Sequence, residues 1–282
     1  MVVKIHNNEL EVEIKSFGAE LKSVKKNGKE FLWSGDPAVW PGQAPVLFPI
    51  CGGLRDDKYI FEGREYSLQK HGFAKLREFE VESREDDRVT FLQKADEETL
   101  KQYPFEFELR ITYSLCGSTI KVQYDVKNVD NKTMYFSIGA HEAYACPNGI
   151  EEYSVIFDKT ETLNAKNLDG NLLGYETTHI MENSKVLPLK KKFFEIDALT
   201  FSDINSRKVT LKNERTGECI EVNFDGFDYF LLWTKPNGNY ICIEPWCGLP
   251  DYCDSDYDIT HKKGIIALAA GKTETKVHSI TL

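Results

Sequence analysis

Glu244 stands where a carboxyl group could serve as a general base. It follows the apolar run 241–243 and precedes Pro245 and the indole of Trp246. Desolvation at the mouth of a buried strand raises the pKa of a carboxyl group toward the range in which it exchanges protons near neutral pH. The same residues fit equally well a structural glutamate whose carboxylate is tied to backbone amides near the proline.

Three further positions combine a break in the local pattern with a side chain that can exchange protons or bind polar ligands. His141 ends a strand-like run, and His71 is held in the glycine turn 70–75. Arg55 closes the segment 31–55, which is rich in proline and tryptophan. Each position alone has a structural explanation, because histidines at strand ends are often structural and an exposed arginine can pair with a neighbouring aspartate. Their occurrence together favours a functional site.

Alternation of apolar and polar residues dominates the rest of the chain. In the run 9–15, Leu10, Val12 and Ile14 fall on one face and charged residues on the other, which is the period of a half-buried β-strand. The same period marks the runs 105–113, 120–126, 218–224 and 273–282. One short acid-rich stretch, 95–102, predicts a helix.

These runs continue along the chain without a change in composition or a linker rich in proline, glycine or serine. We therefore predict an all-β fold with a single domain over residues 1–282, built as one large antiparallel β-sandwich. Periodicity alone leaves a barrel and two stacked β domains open.

Composition argues against two broad classes of protein. Of the 282 residues, 41% are hydrophobic and 12% are aromatic, and such a chain buries enough surface to offset its ordering entropy, which excludes disorder. The 35 Lys and Arg residues against 45 Asp and Glu residues give a net charge of −10. This charge repels phosphate and argues against nucleic acid as the main partner.

The expected location is a reducing cytoplasm, with no membrane partner. No apolar run approaches the roughly 20 residues that cross a bilayer, and the first residues lack the apolar core of a signal peptide. The seven cysteines are odd in number and include no Cys-x-x-Cys pair, so we predict free thiols and no metal site. The closely spaced Cys242, Cys247 and Cys253 are expected to be buried.

Six segments resemble the aldose 1-epimerase (galactose mutarotase-like) family, and within it the LacX-type branch. They include Gly-Gly-Leu-Arg ending at Arg55, His-Gly-Phe at His71, Gly-Ala-His ending at His141 and Ile-Glu-Pro-Trp around Glu244. The full set, in family order, is 18–21, 33–49, 52–55, 71–73, 139–141 and 243–246. No single motif would suffice, but the common order is specific for the superfamily.

The resemblance implies a sugar bound in a cleft on a concave sheet face, with interconversion of its α and β anomers and no cofactor. It implies that Glu244 is the general base and His141 the general acid. His71 and Arg55 correspond to residues that bind and polarise the sugar. By its order along the chain, Asp197 is the candidate for an acidic residue that binds sugar hydroxyls.

Aromatic side chains are expected to cover the apolar faces of the sugar ring. Trp246 is the first candidate, followed by Trp33 and Phe48, although core packing explains each of them equally well. The expected partner is a small-molecule monosaccharide, an aldohexose, and the oligomeric state is left open.

Two alternative functions remain at this point. A hexose-6-phosphate 1-epimerase would need a basic pocket, for which Lys70, Lys75, Arg77 and Lys235 are available, although the net charge of −10 weakly favours a free hexose. A non-catalytic carbohydrate-binding or sensing module would lack the acid–base pair, and both members of that pair are present.

Overall fold

The computed structural model describes residues 1–195 and 197–282, and it confirms the all-β prediction. The described strands are Val2–His6 (β1), Leu10–Lys15 (β2), Glu20–Lys26 (β3), Lys29–Glu30 (β4), Lys58–Phe61 (β5), Arg64–Ser67 (β6), Glu80–Arg84 (β7), Arg88–Lys94 (β8), Phe107–Cys116 (β9), Thr119–Asn128 (β10), Met134–Phe136 (β11), Ile138–Gly139 (β12), Glu142–Ala145 (β13), Tyr153–Asp169 (β14), Leu172–Pro188 (β15), Leu199–Phe201 (β16), Lys208–Asn213 (β17), Cys219–Asn223 (β18), Tyr229–Trp233 (β19), Tyr240–Cys247 (β20), Ile266–Leu268 (β21) and Thr273–Thr281 (β22). An α-helix covers Glu97–Gln102 (α1), and short 3-10 turns cover Arg55–Asp57, Ala74–Leu76, Ile150–Glu152, Lys191–Phe194 and Ile259–His261.

Local sequence explains why these elements form. Leu10, Val12 and Ile14 of β2 are buried and the residues between them are more exposed, as the alternation predicts. The predicted helix is α1, and its amino terminus is capped in both directions. The Asp96 carboxylate accepts the Thr99 N–H at 2.8 Å, and the Thr99 hydroxyl accepts the Asp96 N–H at 2.8 Å.

Most of the strands belong to one large antiparallel sheet. Its order is β12-β20-β19-β16-β14-β17-β18-β22-β10-β9-β8-β7, with β13 also paired to β20 and β15 to β14. A second sheet has the order β1-β2-β3-β4, and two small ones pair β11 with β21 and β5 with β6. Side chains from both larger sheets share one buried apolar core.

The large sheet curves until distant strands face each other across this core. The carboxylate of Glu142 on β13 lies 3.0 Å from Nε2 of His278 on β22, and both side chains are buried. Six strand pairings separate β22 from β20, the partner of β13, in the sheet order. The contact therefore joins two layers packed face to face, which is the sandwich expected from the sequence.

The proline-rich segment 31–55 is an ordered loop laid against the large sheet. The Leu47 N–H donates to the Gly139 carbonyl at 3.0 Å, and the Phe48 carbonyl accepts the Phe73 N–H at 3.0 Å. The Phe48 ring is fully buried, 5.0 Å from the ring of Phe107. The expectation that Phe48 covers a sugar was therefore wrong, because its side chain fills the core beneath the loop.

A buried ion pair ties together three chain segments. The Lys262 ammonium donates to Asp251 Oδ1 at 2.6 Å, and both side chains are at most 5% exposed. The other carboxylate oxygen of Asp251 accepts the Arg55 N–H at 3.0 Å. The backbone carbonyl of Asp251 accepts the Leu173 N–H at 2.8 Å, and its N–H donates to the Gly53 carbonyl at 2.9 Å.

We expect Lys262→Met to lower the free energy of unfolding by about 3–5 kcal/mol, because it leaves the Asp251 carboxylate buried without its counter-ion. Lys263→Met is the matched control, since Lys263 is exposed and the change should cost at most about 0.5 kcal/mol. Denaturant unfolding of both variants measures the difference. Equal stability of the two variants would show that the pair contributes nothing to the fold.

The structure also bears on the expectations about cysteines and membranes. All seven cysteines are free, and Cys242 and Cys247 are buried as expected. The expectation was wrong for Cys253, which is exposed because it lies in a polar turn after the last buried residues of its segment.

Among residues 1–195 and 197–282, none of the helices has the length and apolar character to span a bilayer. A cytoplasmic location stays a prediction.

Candidate active site

A cavity of about 670 Å³ opens on the face of the large sheet formed by β19 and β20. Its walls come from these strands, from the loops that contain Trp40 and His71, and from the tip of the β14–β15 hairpin at Asn171. This volume is within the range of small-molecule sites. Segments far apart in the sequence thus build one concave surface.

The strand period of β20 brings Glu244 to the cavity. Cys242 and Glu244 point to one face of β20, whereas Ile241 and Ile243 point into the main core. His141 lies between β12 and β13, on the other side of β20 from β19, and also lines the cavity. Nε2 of His141 is 3.3 Å from Oε2 of Glu244, so the structure brings the expected acid and base into contact.

Burial determines how this pair holds protons. It lowers the pKa of His141 from 6.5 to about 3. It also raises the pKa of Glu244 well above the ordinary value of 4.5. Both shifts disfavour the charged form, since each group is desolvated. Burial therefore favours a neutral imidazole on His141 and a protonated carboxyl group on Glu244.

His71 lies on the same wall, in a backbone conformation that turns its ring into the cavity. Its φ is +69° and that of Gly72 is +67°. The ring accepts the Gly52 N–H at Nδ1 over 3.1 Å, and its centre is 5.7 Å from that of His141. Burial is the main cause that lowers the pKa of His71 well below 6.5, so this imidazole is neutral.

Three tryptophans line the cavity near the two histidines. The rings of Trp40 and Trp233 lie 5.3 Å and 5.6 Å from the ring of His141, and that of Trp246 lies 5.4 Å from the ring of His71. Trp246 thus lies where it was expected from the sequence. Trp33 does not, because its ring packs on Tyr240 at 4.9 Å and takes no part in the wall.

Asp197 reaches the cavity from the turn before β16. Its φ is +83°, and its Oδ1 accepts the indole N–H of Trp233 at 2.7 Å. The structure therefore brings the loosely supported candidate Asp197 to the same cavity as Glu244, His141 and His71.

Arg55, expected to bind the sugar, does not reach the cavity either. Its Nη1 donates to the Ser255 carbonyl at 2.8 Å, and its guanidinium lies 4.8 Å from the centre of the Tyr257 ring. It does not line the cavity. The side chain instead stabilises the loop that contains Ser255 and Tyr257.

Sequence reasoning missed Trp40, Trp233 and Asn171 as wall residues. Trp233 follows Leu231 by two positions in β19, so the strand period predicts that both share a face. This period identifies wall residues only once β19 is known to pair with β20, because Leu231 then lies opposite Glu244. Asn171 has no comparable signal, because a hairpin tip can point anywhere.

A metal ion has one candidate site in the described residues. Ligand atoms of His141, Cys242 and Glu244 all lie within 4.8 Å of one another, and the three side chains are buried. Nitrogen, sulfur and carboxylate donors of this kind suit Zn²⁺. Cysteine spacing along the chain does not reveal this cluster, because His141 is brought to Cys242 only by the pairing of β13 with β20.

Comparison with known proteins identifies the family. The family model described as aldose 1-epimerase matches residues 1–281. The chain belongs to the aldose 1-epimerase family. It is similar to the plasmid-encoded protein LacX of Lactococcus lactis subsp. lactis, with 36% identity over 297 residues that cover 100% of this chain and 99% of that protein.

Solved structures of other aldose 1-epimerase-like proteins share the fold over the full length. A galactose mutarotase related enzyme from Lactobacillus acidophilus has 34% identity and a TM-score of 0.95, covering 100% of this chain and 97% of that one. A galactose mutarotase-like protein from Lactobacillus casei ATCC 334 has 28% identity and a TM-score of 0.94, covering 100% and 99%. Membership of the aldose 1-epimerase family supports an isomerase that binds a small carbohydrate.

Proposed function

We propose that this protein interconverts the α and β anomers of an aldohexose by acid–base ring opening, without a cofactor. The observation that carries the proposal is the 3.3 Å contact between His141 and Glu244 on the wall of the cavity. Two groups of different proton affinity that lie in contact can supply a base and an acid to one substrate.

Ring opening moves one proton in each direction. Glu244, as the carboxylate, removes the proton from O1 while the C1–O5 bond breaks and His141, as the imidazolium, protonates O5. Rotation about C1–C2 turns the other face of the aldehyde toward O5. The reverse steps then close the ring: His141 takes the proton from the O5 hydroxyl, and Glu244 returns one to the carbonyl oxygen. Neither group gains or loses a proton over the cycle.

The sugar itself prepares the pair for this reaction. Burial alone favours the uncharged form of both groups, with a proton on Glu244 and none added to His141. Sugar hydroxyls that donate hydrogen bonds to the carboxylate stabilise its charged form and lower its pKa. The proton then passes to His141 across the existing contact, so that base and acid are both formed when substrate is bound.

The other wall residues have binding roles in this proposal. Trp246, Trp40 and Trp233 cover the apolar faces of the pyranose ring. His71 and Asp197 hydrogen-bond to its hydroxyls, and Asp197 Oδ1 is already oriented by the Trp233 indole. Holding the ring against the acid–base pair contributes orientation as well as affinity.

Exchange between the anomer signals of glucose, galactose and their phosphorylated forms, followed by NMR, tests the function. The wild-type protein should raise the exchange rate of at least one aldose above its uncatalysed rate. His141→Asn should reduce that increase by about 10²-fold or more, because asparagine cannot donate the proton to O5. His6→Asn, at an exposed position on β1, is the control and should keep the full rate.

Two results would contradict the proposal. If no aldose exchanged faster with the wild-type protein although sugars bound to it, the protein would be a carbohydrate-binding module. If His141→Asn retained the wild-type rate, ring opening would have to use another acid.

A further inference from the structure

The cavity carries a local charge opposite to that of the whole protein. The net charge is −10, yet five lysines line the cavity against three carboxyl groups. The lysines are Lys15, Lys22, Lys70, Lys75 and Lys235, and the acids are Glu20, Asp197 and Glu244. Charges beyond about 8 Å are screened at physiological salt, so a ligand in the cavity responds mainly to this local set.

Four of the five lysines have no carboxylate partner. Lys22 pairs with Glu20 at 3.4 Å. In the described part of the chain, no carboxylate oxygen lies within 4.0 Å of the ammonium group of Lys15, Lys70, Lys75 or Lys235. The cavity therefore has an excess of unpaired positive charge.

Lys70 and Lys75 are held together at one side of the cavity. The Lys75 ammonium donates to the Lys70 carbonyl at 2.9 Å, and the Lys70 ammonium donates to Asn171 Oδ1 at 3.0 Å. Both hydrogen bonds use neutral acceptors, and burial together with Lys70 lowers the pKa of Lys75 to about 8. Neither ammonium group has a carboxylate oxygen within 4.0 Å among the described residues, so a bound anion would give both a charged hydrogen-bond partner.

We propose, resting on the function proposed above, that the substrate is a phosphorylated aldohexose whose phosphate binds at Lys70 and Lys75. Ring opening needs a free hydroxyl at C1, so the phosphate cannot be on O1. It needs O5 in the ring, so the phosphate cannot be on O5 either. The primary hydroxyl O6 leaves both reacting oxygens free and projects away from the ring. The phosphate takes no part in bond making or breaking and serves only to bind and orient the sugar.

The net charge favoured a free hexose, whereas the unpaired lysines of the cavity favour a phosphorylated one. Not all of the basic residues proposed from the sequence to bind a phosphate lie at the cavity. Lys70, Lys75 and Lys235 line the cavity, but Arg77 forms an ion pair with Asp96 outside it. The rim lysine Lys235 would contribute by attracting the dianion toward the cavity.

The test compares kcat/KM for glucose and galactose with that for their 6-phosphates, each corrected for its own uncatalysed rate. We expect kcat/KM to be at least about 100-fold higher for a 6-phosphate, and this ratio to fall about 10- to 100-fold in Lys70→Gln and in Lys75→Gln. Lys121→Gln is the matched control. It removes an exposed lysine on β10 that forms no ion pair with any described residue, and it should leave the ratio unchanged.

Competition by inorganic phosphate gives a second measurement on the unmodified protein. Phosphate should inhibit turnover of the sugar phosphate competitively, and Lys70→Gln should weaken this inhibition about 10-fold or more. Equal or higher kcat/KM for the free hexose would overturn the phosphate site and leave the proposed function standing. Acceleration of neither sugar would refute the proposed function. Calorimetric titration with inorganic phosphate would then test the phosphate site alone. Loss of phosphate binding in Lys70→Gln would support the site, and unchanged binding would overturn it.

Discussion

Glu244→Gln is expected to reduce anomer exchange by about 10²- to 10⁴-fold, the usual contribution of one positioned proton-transfer group. The amide keeps the size of the side chain but cannot accept the O1 proton. Sugar affinity should change little, so the loss should appear in kcat rather than in KM. NMR exchange measurements on the preferred aldose provide both quantities.

The same variant should be more stable than the wild-type protein at neutral pH. Burial raises the folded-state pKa of Glu244 above its ordinary 4.5. Above pH 4.5 the unfolded chain releases this proton while the folded protein still retains it, so unfolding becomes easier as the pH rises toward the folded-state pKa. Glutamine does not titrate. The gain in Tm should therefore grow as the pH is raised from about 4.5 and level off above the folded-state pKa.

Glu11→Gln is the control for both measurements, because Glu11 is exposed on β2. It should change neither the rate nor the Tm appreciably. A wild-type rate in Glu244→Gln would show that another group is the base. A lower rate without the pH-dependent gain in Tm would instead show that the carboxyl group is charged in the folded protein.

Gly72→Ala is expected to lower the free energy of unfolding by at least about 3 kcal/mol. A Cβ at this position would lie 2.3 Å from the carbonyl oxygen of Phe48, and the φ of +67° disfavours any side chain. The oxygen cannot easily move away, because the Phe48 ring is fixed in the core and its carbonyl accepts the Phe73 N–H. Strain at Gly72 is transmitted to His71, so activity should fall with stability.

Gly28→Ala separates the steric clash of the added Cβ from the backbone cost of a positive φ. Gly28 has a φ of +76°, but a Cβ added there would have no other atom within 4 Å, so alanine costs only the backbone term, about 1 kcal/mol. The difference between the two variants in denaturant unfolding measures the steric clash. Equal losses would mean that the Phe48 loop moves aside and does not hold His71 in place.

Local sequence was sufficient for the strands, and it marked Glu244 and His141 as candidates whose roles as base and acid come from the family resemblance. The alternation in β2 and the other predicted runs has a period that only a half-buried strand produces, and the capping residues of α1 lie within three positions of one another. Glu244 and His141 were recognisable because each interrupts an apolar run with a titratable side chain. Burial of such a group shifts its pKa wherever the strand lies in the fold.

Only the tertiary structure decided which other side chains share the cavity. Arg55 sits in a motif beside the expected site, yet its side chain turns to Ser255 and Tyr257, because side-chain direction depends on the loop conformation and not on order along the chain. Asn171 and Lys70 are 101 positions apart and meet through a single hydrogen bond. No local pattern encodes such a contact.

The charge of the site likewise depends on the tertiary structure and not on the sequence composition. Net charge is a sum over the sequence, and it suggested a neutral sugar. The folded chain spreads most of its carboxylates over outward faces such as that of β2 and gathers unpaired lysines around one cavity. Because electrostatic interactions fall off with distance and are screened by salt, what a bound substrate experiences is this arrangement in space and not the total.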